Sequence, residues 1–220
     1  MIDLQSALRL YLVADPEYCS GSLVSTVEAA IVGGVTMVQL RAKRLNDLDH
    51  FNLATQIRSV CLPQNVPFLV NDRIDLALAA GADGVHLGVN DLPIEAARSI
   101  GGTELVIGFS PETDDQLRSA ASRGADYLGI GPVFGTATKA DAGAALGLEE
   151  FARRVRMGAL PAVGIGGINA DNVESVLAAG GTGVAIVSAI LGAADTAEAA
   201  RQLSRNSYSS SIRGSSAGSQ

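Results

Sequence analysis

Short, nearly unbroken apolar runs recur along the chain at 10–13, 37–40, 68–70, 85–87, 105–107, 127–130, 162–165 and 184–187. They are rich in β-branched residues and do not alternate with polar ones. That is the pattern of parallel strands covered on both faces. Between them the apolar spacing turns helical. Leu23, Val27, Ala30 and Ile31 share one face, and Leu48, Phe51, Leu53, Ile57 and Val60 share another more loosely. Helical spacing continues over 74–80, 94–100, 113–123, 148–155, 169–179 and 196–203. Eight strand-then-helix units in about 200 residues predict an α/β fold, a closed single-domain (β/α)8 TIM barrel of parallel strands near the short end of its size range. An open doubly wound sheet would call for a glycine fingerprint after the first strand. The chain has ADPEYC there instead.

A weak internal repeat agrees with the barrel. GGVTMVQLR (33–41), GADGVHLG (81–88), GADYLGIG (124–131) and GGTGVAIVS (180–188) each place a glycine, a short polar turn and then a strand. All lead into even-numbered strands, as doubled βα units would. The barrel is expected to occupy 1–205. The segment 206–220 is serine-rich and is expected to form a disordered tail.

Composition narrows the function classes. Of 220 residues, 47% are hydrophobic and 18% charged, which suits a packed core, and the net charge of −7 argues against nucleic-acid binding through bulk charge. The cysteines, Cys19 and Cys61, are too few for a disulfide framework or a structural zinc site. MIDLQSALRL lacks a signal-peptide layout, and no run approaches the ~20 apolar residues of a membrane span. A soluble cytoplasmic protein is the expectation.

In a barrel of this kind chemistry gathers where strands end at their C-terminal side. Just past the apolar runs stand Gln39, Arg41 and Lys43; Asn71, Asp72 and Arg73; Gly88 and Asp91; Gly108 and Ser110; Thr136, Thr138 and Lys139; Gly166 and Gly167; and Val187 and Ser188. Three cations suit a polyanion, and two aspartates on neighbouring strand ends suit Mg²⁺. A glycine pair before a helix starting near Asn169 would offer N–H groups to a phosphate. Each has a plainer reading. Asp72 could cap the following helix, the glycines could be a tight turn, and His86 could be an ordinary core residue. GPVFGTATKADAG (131–143) is not a P-loop, because Gly135 is followed by Thr-Ala-Thr-Lys.

These segments resemble thiamine-phosphate synthases: VQLRAK (38–43), VNDRIDLALAAGADGVHLG (70–88), GFS (108–110), GADYLGIGPVFGTATK (124–139), VGIGGINADN (163–172) and GVAIVSAI (183–190). The resemblance spans residues 8 to 205. It implies that an aminopyrimidine diphosphate and a thiazole phosphate are joined with release of pyrophosphate through a pyrimidine cation. Gln39, Leu40, Arg41, Ala42, Lys43, Asn71, Ser110 and Lys139 would hold the pyrimidine diphosphate, with Arg41, Lys43, Ser110 and Lys139 as the catalytic set. Asp72 and Asp91 would hold Mg²⁺, and Thr136, Ala137, Thr138, Gly167, Val187 and Ser188 the thiazole phosphate. The chain departs from the family pattern at Ala42, Val89 and Gly135, where glutamate, glutamine and proline are common. A related thiazole tautomerase uses a histidine near the strand-six loop, where this chain has Pro132. The same rim would also suit a non-catalytic thiazole-phosphate-binding barrel or, less well, a sugar-phosphate isomerase, which needs an acid/base pair in the barrel mouth. Partners are expected to be small molecules, with neither nucleic acid nor membrane, and the oligomeric state, a homo-oligomer included, stays open.

Overall fold

A computed structural model describes residues 2–136, 138 and 143–214. Strands β1 (Leu10–Ala14), β2 (Met37–Leu40), β3 (Phe68–Asn71), β4 (Gly84–Leu87), β5 (Val106–Phe109), β6 (Tyr127–Ile130), β7 (Ala162–Ile165) and β8 (Gly183–Ile186) pair in sequence order. Every pairing is parallel, and β8 returns to β1 with Tyr11 beside Ala185. Helix α1 (Leu4–Ala7) precedes β1. The crossovers are α2 (Leu23–Val32), α3 (Asp47–Cys61), α4 (Ile74–Ala79), α5 (Ile94–Gly101), α6 (Asp114–Arg123), α7 (Gly147–Met157) and α8 (Val173–Ala178). Short α9 (Ser188–Leu191) and α10 (Thr196–Gly214) follow β8. The barrel read from the apolar runs is the fold observed.

The continuous apolar runs divide their side chains between two cores. Leu10, Leu12, Val38, Leu40, Phe68, Val70, Val85, Leu87, Ile107 and Leu128 face the helices and pack with Leu23, Val27, Ile57, Ala97, Leu117 and Phe151. Tyr11, Val13, Met37, Leu69, Val106, Tyr127, Val163 and Ala185 fill the barrel interior. Ala7 and Leu8, with the partly buried Ile2 and Leu4, join that interior cluster.

The repeat seen in sequence has a physical role. Gly34, Gly81, Gly124 and Gly180 all take positive φ, between +66° and +107°, and turn a helix end back toward the sheet. Two residues later stand Thr36, Asp83, Asp126 and Thr182. The side-chain oxygen of each accepts the N–H of Leu10, Phe68, Ile107 and Ala162 respectively, at 2.9, 2.8, 2.7 and 3.2 Å. The backbone N–H of each donates back to the carbonyl of the same partner. Each even strand is thus stapled to the odd strand before it, so the barrel is four similar quarters.

Two boundaries differ from expectation. Helix α8 starts at Val173 rather than near Asn169, because Asn169 and Asn172 close a turn first, with the Asn169 N–H donating to Asn172 Oδ1 at 2.9 Å. Helix α10 continues to Gly214, so 206–214 are helical where serine richness predicted disorder, and 215–220, the rest of that expected tail, lie outside the described residues. Tertiary contacts hold its course past residue 205. Asn206 donates to the Ala170 carbonyl at 2.9 Å, and Ser207 is buried. Among the described residues no helix is long and apolar enough to cross a membrane.

Candidate active site

The C-terminal strand ends surround a cavity of about 810 Å³. It is lined by Gln39, Arg41, Lys43, Asn71, Asp72, Asp91, Ser110, Thr136, Thr138, Gly167, Val187 and Ser188. The structure therefore brings together most of the residues singled out from sequence. Ala137 and Lys139 lie outside the described residues. Leu40 and Ala42 are buried in the helix-facing core, so their side chains point away from the cavity. Arg73 turns outward, to Asp47 at 2.7 Å and Asp75 at 2.6 Å.

Charge is unevenly distributed around the rim. The β1–β4 side holds most of the ionisable groups, while Glu112 after β5 and Arg154 of α7 also line the cavity. Arg41 Nη1 meets Asp15 Oδ2 at 2.5 Å, and Asp15 is 2% exposed. Asp15 also accepts the Glu17 N–H at 3.0 Å, closing the turn at Pro16–Tyr18. Lys43 Nζ lies 3.2 Å from Asp72 Oδ2. Asp72 has φ +63°, a conformation few non-glycine residues adopt. It does not cap α4, whose N-cap is Arg73 without a side-chain bond, so the plain reading of Asp72 is set aside. Burial, then the Asp91 carboxyl beside it, pushes the Asp72 carboxyl up from the usual carboxylate range, with Lys43 opposing. Asp91 is oriented by the Gly88 N–H, which donates to Oδ2 at 2.6 Å.

That carboxylate pair fits the divalent cation expected. Two hard-oxygen donors stand together, and a cation between them would relieve the cost of charge that Asp91 imposes on Asp72. Among the described residues no group of three or more His, Cys, Asp or Glu gathers to enclose a metal. An open two-carboxylate site suits an ion that completes its shell with water and phosphate oxygens.

The β6–β8 side is built mainly from backbone and hydroxyls, with Arg154, paired to Glu150 at 2.8 Å, the charged side chain that joins them. The residues after β6 run along the end of β7, with Val133 N–H donating to the Ile165 carbonyl at 2.8 Å and Phe134 N–H to Gly166 at 3.1 Å. Gly166 and Gly167 have φ of +96° and +65°. A Cβ at Gly167 would come within 2.5 Å of the Gly135 carbonyl oxygen. The pair is thus demanded both by conformation and by close approach. Thr136 Oγ1 accepts the Thr138 N–H at 3.1 Å, and Tyr18 Oη donates to the Thr138 carbonyl at 2.5 Å. Val187, Ser188 and Ala189, at the start of α9, complete this side.

The cavity floor joins Gln39 and Ser110, both singled out from sequence, to three residues that sequence reasoning missed or set aside. Gln39, Tyr11, Tyr127, His86 and Ser110 form an unbroken hydrogen-bonded chain. Burial pushes the His86 imidazole down to about 4, so the ring is neutral near pH 7. Both tyrosine hydroxyls are pushed far above their ordinary range by burial. Asp15 stands at the end of β1, the one strand end read only for a glycine fingerprint. A buried-strand aspartate followed by proline was the signal available.

Residues 10–190 match the family described as thiamine monophosphate synthase. The thiamine-phosphate synthase of Clostridium novyi is 47% identical over 184 residues, covering 83% of this chain and 90% of that protein. That of Syntrophomonas wolfei is 44% identical over 201 residues, covering 91% and 96%. Among solved structures, the thiamine phosphate pyrophosphorylase from Pyrococcus furiosus superposes with a TM-score of 0.87 at 36% identity, covering 94% of this chain and 99% of that one.

Proposed function

Because the chain belongs to the thiamine monophosphate synthase family, and is a transferase of that kind, we propose that its cavity seats two anionic substrates side by side. They are 4-amino-2-methyl-5-(diphosphooxymethyl)pyrimidine and a thiazole phosphate. The observation that carries this reading is the division of the rim. Arg41, Lys43, Asp72 and Asp91 stand toward β2–β4, while Thr136, Thr138, Gly167 and Ser188 stand toward β6–β8. The first side suits a diphosphate and its counter-ion, the second a monophosphate held by N–H and hydroxyl groups.

The bond that breaks joins the pyrimidine methylene carbon to the diphosphate oxygen, and its electron pair leaves with pyrophosphate. The bond that forms joins that carbon to the thiazole nitrogen, whose lone pair supplies the electrons. The aminopyrimidine ring delocalises the positive charge between these events, so no protein nucleophile is required. Arg41, Lys43 and Lys139 stabilise the leaving group, and the cavity walls keep the two rings in line. Mg²⁺ held by Asp72 and Asp91 would supply charge neutralisation at the diphosphate. The test is direct: purified protein with both substrates and Mg²⁺ should yield thiamine phosphate and pyrophosphate, and omitting Mg²⁺ should abolish it. No product above background overturns the reading. Binding of the thiazole phosphate without turnover would do the same in favour of a non-catalytic barrel.

A further inference from the structure

Five polar side chains cross the barrel floor in single file. Gln39 Nε2 donates to Tyr11 Oη at 2.5 Å, and Tyr11 Oη lies 2.8 Å from Tyr127 Oη. Tyr127 Oη lies 2.8 Å from His86 Nδ1, and His86 Nε2 lies 2.8 Å from Ser110 Oγ. The barrel makes room for this file with glycine. A Cβ at Gly108 would strike Tyr127 Oη at 2.3 Å and His86 Nδ1 at 2.4 Å. A Cβ at Gly129 would come within 3.1 Å of both Ser110 Oγ and His86 Cε1.

We propose that this file is a directed hydrogen-bond relay that fixes the tautomer of His86 and thereby makes Ser110 a hydrogen-bond donor to the bound pyrimidine. Tyr11, Tyr127 and His86 would be positioning residues. The inference rests on the pyrimidine reading of the cavity given above. Each hydroxyl carries one proton, so one end sets every bond in turn. Gln39 Nε2–H donates to Tyr11 Oη, so Tyr11 donates its own O–H to Tyr127. Tyr127 in turn donates its O–H to His86 Nδ1, which stays unprotonated. A neutral imidazole has a single N–H, which is then on Nε2 and points at Ser110 Oγ. Ser110 accepts there, and its own proton is left for the cavity. A ring nitrogen of the aminopyrimidine is the matching acceptor, being neutral like its donor. Donation to that nitrogen withdraws electron density and does not help the cation form. The relay therefore serves to hold the substrate ring, and its loss should appear in KM and not in kcat.

The tautomer can be read without substrate. The chain has two histidines, so long-range proton–nitrogen NMR on the full chain labelled at histidine nitrogen gives two rings, and His50→Gln identifies the other. His86 protonated on Nε2 is expected. Protonation on Nδ1 would mean the file runs in reverse and overturns the proposal, even if thiamine phosphate is formed. Tyr127→Phe removes the proton given to Nδ1 while keeping the ring. Its KM for the pyrimidine diphosphate should rise about 5-fold, the loss of one neutral hydrogen bond, with the KM for the thiazole phosphate unchanged. Ser110→Ala removes the donor itself and should raise the same KM at least as far, with its kcat free to fall, and the double variant should be no worse than Ser110→Ala alone. In Tyr127→Phe a fall in kcat at constant KM, or in the double variant additive losses, overturns the relay. If the wild-type chain forms no product, the proposed function fails first and takes the pyrimidine contact with it, whatever the tautomer.

Discussion

At the scale of single residues, the site depends on charges held in place by other charges. Arg41 is useful to a diphosphate only if its guanidinium is aimed, and Asp15 aims it from a nearly solvent-free position. Removing Asp15 leaves the partly exposed Arg41 without its partner and the Glu17 N–H without its acceptor, at a cost of about 1–3 kcal/mol. Asp15→Ala should lower the melting temperature by several degrees and raise the KM for the pyrimidine diphosphate tenfold or more. Asp15→Asn keeps an acceptor for the Glu17 N–H but not the charge. It should recover part of the stability and little of the KM, as melting curves alongside steady-state kinetics would show; full kinetic recovery would mean that Asp15 serves the turn alone. Asp72→Ala and Lys139→Ala should each cut turnover by orders of magnitude with the circular dichroism spectrum intact. Near-normal turnover in either would remove that residue from its assigned role. Most of these positions were legible in the chain, because charged residues directly after apolar runs have few structural reasons to be there. The floor was not legible. Tyr11, His86 and Tyr127 lie inside apolar runs, and only the closing of the barrel shows that alternate residues of β1, β4 and β6 converge on one axis.

At the scale of elements, the repeat carries more than its sequence similarity suggests. Glycine before a strand is common in αβ loops. What distinguishes the four quarters is the Thr or Asp two residues on, which binds both the N–H and the carbonyl of the preceding odd strand. Asp126 does most, since it also receives Arg98 Nη2 at 2.6 Å. Arg98 in turn donates to the carbonyls of Gly124, Gly102 and Leu105. Asp126→Ala would strip the Ile107 N–H of its partner and leave Arg98 without its counter-charge. A destabilisation of about 2–4 kcal/mol is expected from urea unfolding, with little change in KM because the staple lies at the strand starts, away from the cavity. Asp126→Asn, which retains the acceptor, should lose less than half as much. Equal losses in the two variants would assign the effect to charge and not to the N–H. Strand positions were readable because buried parallel strands are apolar throughout. Helix starts were less so: the Asn169–Asn172 turn delays α8 by four residues, and α10 outruns its composition because Asn206 donates to the Ala170 carbonyl and Ser207 is buried.

At the scale of the whole molecule, the outer core is one continuous layer from α2 round to α10, which predicts that it opens as a unit. Cys61 tests this. It is fully buried at the end of α3, and burial pushes its thiol up to about 12, whereas Cys19 is partly exposed beside Thr26. Thiolate is the reactive form, so Cys61 is protected twice, by access and by a suppressed thiolate fraction. At pH 8 a thiol reagent should modify Cys19 rapidly and Cys61 slower by a factor of about 10³ or more, the open fraction of a stable domain. The Cys19→Ser variant isolates the slow reaction. Its rate should climb with urea along the same slope as global unfolding, because α3 packs against α2, α4 and β3 together and cannot leave alone without exposing Ile57 and Ala54. A slow phase with a shallower slope would show α3 detaching locally, and the layer would then be several units instead of one. The distinction matters for the site, since Arg41 and Lys43 stand on the segment that joins β2 to α3. A helix that frayed alone would loosen Arg41 and Lys43 while leaving the β6–β8 rim in place.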